Sequence, residues 1–248
     1  MGGDNSPDAT LNGAYLASQY LGDEETIVLV GDEKLAKSWF KSNNIDTSVF
    51  EFIHADEVIS MNEHATKALR KKPNNSISVG FNALKNKEID VFSSAGNSGA
   101  MLVGSMFSIG PIKGVIRPSI TSILPKKNGG VGLILDVGVN ADCKPDVLFQ
   151  FAILGSLFAE NVYNIQKPKV GLLNIGEEKG KGNLLTQSTY RLLEDNDDIN
   201  FVGNVEGRDL FNDKADVIVC DGFTGNVVLK LAESFYSLIN QKNIKDDY

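Results

Sequence analysis

The chain has 248 residues, 42% of them hydrophobic and 23% charged, a composition typical of a globular protein with a buried core. Its formal net charge is −8, so it lacks the broad cationic surface that nucleic-acid binding requires. The two cysteines, Cys143 and Cys220, cannot form a disulfide framework and indicate a reducing compartment. No run approaches the ~18 apolar residues of a membrane-spanning helix.

The amino-terminal part of the chain alternates between strand-like apolar runs and helical segments. Residues 1–4 (MGGD) form a glycine turn with no strand before it, which suggests that the sequence starts inside a motif. Ser6 and Pro7 predict the N-cap and the first turn of a helix that ends near Leu21. After it we predict a strand over 26–30, a helix through Trp39, an ambiguous segment over 51–66, a helix from 73–76 that closes before Asp90, and a strand over 91–95.

The rest of the chain adds strands that are mostly separated by long helices. Continuous apolar strands in this arrangement favour an α/β fold, a mainly parallel sheet with helices on both faces. Residues 119–138 leave no room for a helix, so a β-ribbon or small subdomain is expected there. No change of composition marks a boundary, and one domain over 1–248 is expected. The strands are predicted at 119–124, 131–138, 169–176, 199–205 and 215–221, and the helices at 99–109, 145–163, 183–195 and 225–241.

Five strand-like runs end in glycine with asparagine close by. Ligands of parallel sheets bind beyond the carboxyl ends of the strands. Glycine lets backbone amides approach an anion, and asparagine supplies a neutral donor. Glycine and asparagine are also the usual turn formers, but five such loops at one sheet edge favour a phosphate-like anion. The loops are AGNSG (95–99), DVGVNADCKP (136–145), NIGEEKGKGN (174–183), VGNVEGR (202–208) and CDGFTGN (220–226).

The stretch GEEKGKGN is the most unusual of these loops. It is not a P-loop, because only three residues separate Gly176 from Gly180 and because Gly182 follows Lys181. No GxGxxG follows a strand, so the dinucleotide fingerprint is also absent. Lys181 lies between glycines just before a helix, where a lysine can place its charge on an anion. The alternative is an ordinary exposed loop lysine.

The sequence offers few residues for the standard catalytic sets. The sequence contains no GxSxG, HExxH or CxxC. The two histidines, His54 and His64, lie away from the glycine loops. Binding and electrostatic stabilisation therefore remain as the main catalytic tools. Four aspartates could hold a metal at the sheet edge but suit capping and loop bonding equally well: Asp4, Asp136, Asp142 and Asp221.

The loop motifs resemble the PlsX family of bacterial phosphate acyltransferases, which serve phospholipid synthesis. The resemblance covers the whole chain, and its motifs are long and specific. The matching stretches are MGGDNSP (1–7), ALRKKPNNS (68–76), SAGNSGA (94–100), LDVGVNADCKP (135–145), VGLLNIGEEKGKGN (170–183), NFVGNVEGRDLF (200–211) and VIVCDGFTGNVVLK (217–230).

This resemblance implies transfer of a fatty acyl group from acyl carrier protein to inorganic phosphate. It also implies a fold similar to isocitrate and isopropylmalate dehydrogenases, a homodimer, and a cytoplasmic location with loose peripheral membrane association. No metal or other cofactor is expected. Family members begin with a short strand and continue well past Tyr248, so the chain is expected to lack those segments.

Such an enzyme needs no serine or cysteine nucleophile, because a phosphate oxygen is already nucleophilic at neutral pH. It must hold phosphate near the thioester carbonyl and stabilise the oxyanion that forms. We expect Lys181 to hold phosphate and Asn226 to face the oxyanion, as the two catalytic residues. The residues predicted to bind substrate are Asp4, Asn97, Gly99, Asn140, Gly180, Gly182 and Asn183.

The basic run Arg70-Lys71-Lys72 is predicted to dock the acidic carrier protein, although such runs are usually solvated helix ends. Two other functions compete with acyl transfer. One is a dehydrogenase on the same fold, which would need clustered metal carboxylates and an arginine-rich pocket. The other is a non-catalytic module that binds carrier protein or membrane.

Overall fold

The computed structural model describes residues 2–242, which form two compact units divided in sequence between Pro111 and Ile112. A single domain over the whole chain stays a prediction. No helix within 2–242 is long and apolar enough to cross a bilayer. The first unit contains α1 (Asp8–Ser18), β1 (Ile27–Gly31), α2 (Glu33–Ser42), β2 (Phe50–His54), α3 (Ala65–Lys71), α4 (Ser76–Lys85) and α5 (Ser98–Ser108).

The first unit is built on a parallel pair of strands, β1 and β2. Phe40 and Phe50 stack at 4.8 Å between ring centroids in one of its cores. Side-chain caps fix the starts of three helices, since Asp32 accepts from the amides of α2, Asn75 from those of α4 and Asn97 from one of α5. The segment over 51–66, which was ambiguous in sequence, contains most of β2, and α3 begins near its end.

Two predictions for the first unit differ from the structure. Helix α1 begins at Asp8 with Pro7 at the N-cap position, one residue later than the predicted cap. The strand predicted over 91–95 is wrong, because residues 91–94 make no ladder with another strand in the described part of the chain. Val91 is 80% exposed, so its β propensity gains no packing there.

The second unit has a five-stranded sheet in the order β3-β4-β7-β5-β6. β3 and β4 are antiparallel, which confirms the expected ribbon, and the other neighbours are parallel. The α/β class with a mostly parallel sheet is confirmed. Its elements are β3 (Thr121–Pro125), β4 (Val131–Leu135), α6 (Pro145–Tyr163), β5 (Val170–Leu173), α7 (Leu184–Glu194), β6 (Phe201–Val205), a 3-10 turn (Gly207–Asp209), β7 (Val217–Val219) and α8 (Gly222–Gln241).

Alternate residues of the inner strands face opposite sides of this sheet. Leu133 and Val217 belong to the core that contains the buried residues of α6, whereas Ile134 and Ile218 belong to a second core. Val228, from α8, packs against that second core, so helices cover both faces as predicted. Because β4, β7, β5 and β6 run parallel, their carboxyl ends meet at one edge of the sheet.

Candidate active site

Lys181 lies in the loop between β5 and α7, and it is exposed. The neighbouring Lys179 forms an ion pair with Glu194 and lies over the ring of Tyr190. The ammonium of Lys181, by contrast, has no carboxylate partner among residues 2–242. Its positive charge is therefore available to an anion from solution.

Two glycines give this loop its shape. Gly182 has φ +90°, and a Cβ atom there would lie 2.1 Å from the hydroxyl oxygen of Thr186. No larger residue fits this position without displacing the first turn of α7. The carbonyl oxygens of Gly180 and Gly182 both accept from the side-chain amide of Gln187 at 3.0 Å. Because glycine has no side chain, Gly180 and Gly182 can contact a ligand only through their backbone atoms.

Asn183 is the N-cap of α7, and its Oδ1 accepts from the backbone N–H of Thr186 at 2.9 Å. This neutral cap leaves the positive end of the helix uncompensated. Within 2–242 the backbone N–H groups of Leu184 and Leu185 have no acceptor. Together with Lys181, they form the arrangement that binds phosphate at helix N-termini.

The first turn of α8 rests directly on the loop after β4. A Cβ atom at Gly225 would lie 1.9 Å from the carbonyl oxygen of Asp136, and one at Gly222 would lie 2.8 Å from the backbone nitrogen of Asn140. The N–H of Gly222 donates to the Asn140 carbonyl at 2.8 Å. Asp221 caps the helix by accepting from the Thr224 N–H at 2.9 Å. The start of α8 is thereby fixed against β4.

Asn226 follows this turn and is exposed. Its side chain lies against Gly138, where a Cβ atom would be 3.4 Å from the amide oxygen of Asn226. The amide of Asn226 has no hydrogen-bond partner in the part of the chain that the structure describes. A donor of this kind, held on a fixed helix turn and not used by the fold, suits oxyanion stabilisation.

Asn140 is engaged in the fold. Its Nδ2 donates to the carbonyl of Pro118 and to the carboxylate of Asp136, both at 2.8 Å. Asp136 is fully buried and also accepts from the N–H groups of Ile120 and Val139. The side chain of Asn140 therefore holds the loop after β4, and its contact with substrate stays a prediction.

In the first unit, Asn97 is likewise engaged. It caps α5 by accepting from the Ala100 N–H at 3.0 Å, and its Nδ2 donates to the carbonyls of Ser60, Met61 and Glu63. Only 7% of its surface is exposed, so these contacts account for the whole amide. The role that these contacts support for Asn97 is to hold the segment 60–63.

Gly99 and Asp4 remain accessible in the first unit. Gly99 lies in the exposed first turn of α5, and its N–H has no acceptor among residues 2–242. The glycines before Asp4 pack on the loop that precedes α5, since a Cβ atom at Gly3 would lie 3.1 Å from the Ala95 carbonyl oxygen. This packing places exposed Asp4 beside the AGNSG loop, and its binding role stays a prediction.

The basic run separates into two parts. Lys72 donates to the carbonyl of Val58 and to the carboxylate of Glu63, both at 2.7 Å. The Lys72 hydrogen bond is the main reason that the pKa of Glu63 lies below its usual value. Arg70 and Lys71 are exposed and make no ion pair within the described residues, so they carry the charge that a partner can meet.

Two functional candidates were missed at the sequence level, Asn174 and Asn204. The Nδ2 of Asn174 donates to the Lys181 carbonyl and to Oδ1 of Asn204, both at 3.1 Å. Asn204 in turn donates to the Glu178 carbonyl at 2.9 Å. Their signal was present in the motifs NIGEE and VGNVEGR, each of which places an asparagine at the end of a strand.

Neither cysteine offers a nucleophile. Burial, followed by the nearby charge of Asp136, raises the pKa of the Cys143 thiol to about 11. Burial likewise raises the pKa of Cys220, which is 3% exposed. Both residues are therefore protonated thiols at neutral pH, the unreactive form. No group of three or more His, Cys, Asp or Glu residues within 2–242 is placed to hold a metal ion.

Solved structures of other proteins share this architecture. The EutD phosphotransacetylase from Staphylococcus aureus aligns with a TM-score of 0.64 at 17% identity, covering 93% of this chain and 80% of its own. A branched-chain phosphotransacylase from Enterococcus faecalis aligns with a TM-score of 0.65 at 14% identity, covering 94% and 82%. The class defined here is thus an α/β protein with a phosphotransacylase-like fold.

Within this class, the chain belongs to the fatty acid synthesis protein family, which matches residues 1–246. A phosphate acyltransferase from Acetivibrio thermocellus is 48% identical over 99% of this chain and 74% of its own length. Another, from Dictyoglomus thermophilum, is 46% identical over 94% of this chain and 69% of its own. The predicted family and the predicted enzyme class, an acyltransferase, are confirmed.

Proposed function

We propose that this chain transfers a fatty acyl group from acyl carrier protein to inorganic phosphate and so supplies acyl phosphate for phospholipid synthesis. The observation that carries the proposal is the unpaired charge of Lys181 beside the neutrally capped N-terminus of α7. That arrangement binds a phosphate-sized anion, and the relatives named phosphate acyltransferase support the same acceptor.

Phosphate itself is the nucleophile in this mechanism. One of its oxygens attacks the thioester carbonyl carbon, and the carbonyl oxygen becomes an oxyanion to which the Asn226 amide donates. Collapse of this intermediate breaks the C–S bond and releases the carrier thiolate, which takes a proton from solvent. A thiol pKa of about 8.5 makes that leaving group adequate without a general acid. Protonated Cys143 and Cys220 support a reaction with no enzyme-bound acyl intermediate.

An acyl donor also requires apolar surface near the reacting carbonyl. Phe223 and Val227, which flank Asn226 on α8, are 68% and 51% exposed. Exposed apolar groups beside a polar site are typical of ligand grooves. They support a fatty acyl thioester as the donor at this helix.

The function is tested with a long-chain acyl carrier protein and a thiol reagent. We expect free carrier thiol only when inorganic phosphate is present, and no loss of rate after addition of EDTA. Equal release without phosphate would indicate a thioesterase. A requirement for NAD and a divalent metal would indicate the dehydrogenase alternative, and binding of carrier protein without thiol release would indicate the non-catalytic module.

Carrier docking at Arg70 and Lys71 is a separate part of the proposal. Reversing both residues to glutamate should raise the KM for acyl carrier protein several-fold, and more at low salt, because exposed charges are screened by ions. The KM for phosphate should not change. Reversal of Lys85 and Lys87, two exposed lysines outside this helix, is the control with the same change of charge. An unchanged KM for the carrier would make the run an ordinary solvated helix end.

Lys72 should not be included in that charge reversal. Its ammonium holds the Val58 carbonyl and Glu63, so a glutamate there would disturb the fold as well as docking. A homodimer, a cytoplasmic location with loose peripheral membrane association, and a likeness to isocitrate and isopropylmalate dehydrogenases complete the proposal. These further points rest on the family resemblance alone.

A further inference from the structure

Asn204 is a buried polar residue of β6, with 2% of its surface exposed. A buried amide is tolerated only when its polar atoms have partners. Here Nδ2 donates to the Glu178 carbonyl oxygen at 2.9 Å, and Oδ1 accepts from Nδ2 of Asn174 at 3.1 Å. Both partners belong to the loop that carries Lys181, so the whole amide serves that loop.

Two short routes lead from Asn204 to the backbone of Lys181. The Glu178 carbonyl that Asn204 holds also accepts from the Lys181 N–H at 3.0 Å. The Asn174 amide that Asn204 holds also donates to the Lys181 carbonyl at 3.1 Å. The N–H and the C=O of Lys181 are thus each one hydrogen bond away from a group fixed by the sheet.

Other contacts of the loop are weaker constraints. Glu177 pairs with Lys214 at 2.8 Å and with Arg208 at 3.5 Å, but its side chain is 54% exposed. Exposed ion pairs contribute little because water screens them and long side chains lose entropy. Hydrogen bonds in a buried environment hold their geometry better, because breaking one leaves a polar group without a partner. Asn204 is therefore the main side-chain anchor of the loop to the sheet, beside the backbone hydrogen bond from the Asn174 N–H to the Val205 carbonyl at 2.8 Å.

We infer that Asn204 is a positioning residue that sets the place of the Lys181 ammonium for phosphate. The inference rests on the proposed function for what the loop binds, but not for how the loop is held. Small misplacements of a positioning group can reduce a rate by up to ~10²-fold. We expect a smaller effect here, about a tenfold rise in the KM for phosphate, because Gln187 still restrains both loop glycines.

The test replaces Asn204 with leucine, which keeps the approximate volume and removes both hydrogen bonds. Thr189→Val is the matched control, because Thr189 is also fully buried and its hydroxyl donates only to the Leu185 carbonyl within α7. Both variants should lose stability. Only N204L should raise the KM for phosphate, and the KM for the acyl donor should stay the same in both.

A double-mutant cycle shows whether Asn204 acts through Lys181. If it does, N204L should add almost nothing to the phosphate KM of Lys181→Ala, because the group being positioned is already gone. Independent, multiplying effects of the two substitutions would overturn the inference, as would a folded N204L with an unchanged phosphate KM. Should N204L fail to fold, Asn174→Ala interrupts one of the two routes, the one to the Lys181 carbonyl, at a half-buried position, and it should also raise the KM for phosphate.

Failure of the proposed function is distinguishable from failure of this inference. If the unmodified chain releases no thiol with phosphate, the proposed function is wrong. In that case, amide hydrogen exchange over residues 176–183 tests the positioning role of Asn204. Faster exchange in N204L than in T189V supports the positioning role, whereas equal rates overturn it.

Discussion

Asn226→Ala is expected to lower kcat by on the order of 10²-fold and to leave the KM values for phosphate and acyl donor nearly unchanged. The reason is that the side-chain amide of Asn226 has no hydrogen-bond partner among residues 2–242, so its donors are free for a charge that exists only in the transition state. Steady-state kinetics with varied phosphate and varied acyl donor measure both parameters.

Two further substitutions separate this effect from loss of folding. Asn240→Ala makes the same change at an exposed position near the other end of α8, and its kcat should equal that of the unmodified chain. Asn226→Asp keeps the shape but replaces a donor with a negative charge, so its kcat should fall at least as far. Thermal melts should shift little, since exposed substitutions usually cost within about 0.5 kcal/mol. A folded N226A with normal kcat would contradict the oxyanion role.

Lys181→Ala is expected to reduce kcat/KM for phosphate by about 10- to 100-fold, which is the usual effect of losing one hydrogen bond from a charged group. Lys179 supplies a matched control in the same loop, because its ammonium is already paired with Glu194. Lys179→Ala removes an exposed ion pair and a contact with the Tyr190 ring, and it should have little effect on phosphate use. Equal losses in the two variants would mean that the loop merely supplies general positive charge.

The secondary structure was largely predictable because local signals and packing agree. Pro145 marks the start of α6, and the helix runs over the predicted residues 145–163. The alternation of inner strands and helices was enough to predict a mainly parallel sheet, but not its strand order. The strand predicted over 91–95 failed because β propensity has no effect without a pairing strand, which local sequence does not reveal.

The site was only partly predictable, because the use of an amide depends on distant partners. At the level of sequence, Asn97, Asn140 and Asn226 look alike, because each has a glycine nearby and lies near the start of a helix. The acceptors of Asn97 lie 34 to 37 residues earlier in the chain, and Asn140 reaches Pro118, 22 residues away. Lys72 likewise reaches Val58, 14 residues away. Only the folded chain separates amides and charges that the fold uses from those left free.

The close contact at Gly225 limits how this enzyme can diverge. A Cβ atom there would lie 1.9 Å from the Asp136 carbonyl, so no other side chain can occupy the position unless α8 moves away from β4. The outward residues of the same helix, among them Leu231 and Phe235, are more than half exposed and have no such constraint. Substitutions can thus change the outer surface of α8, and with it the molecules that this surface contacts, while Asn226 keeps its position.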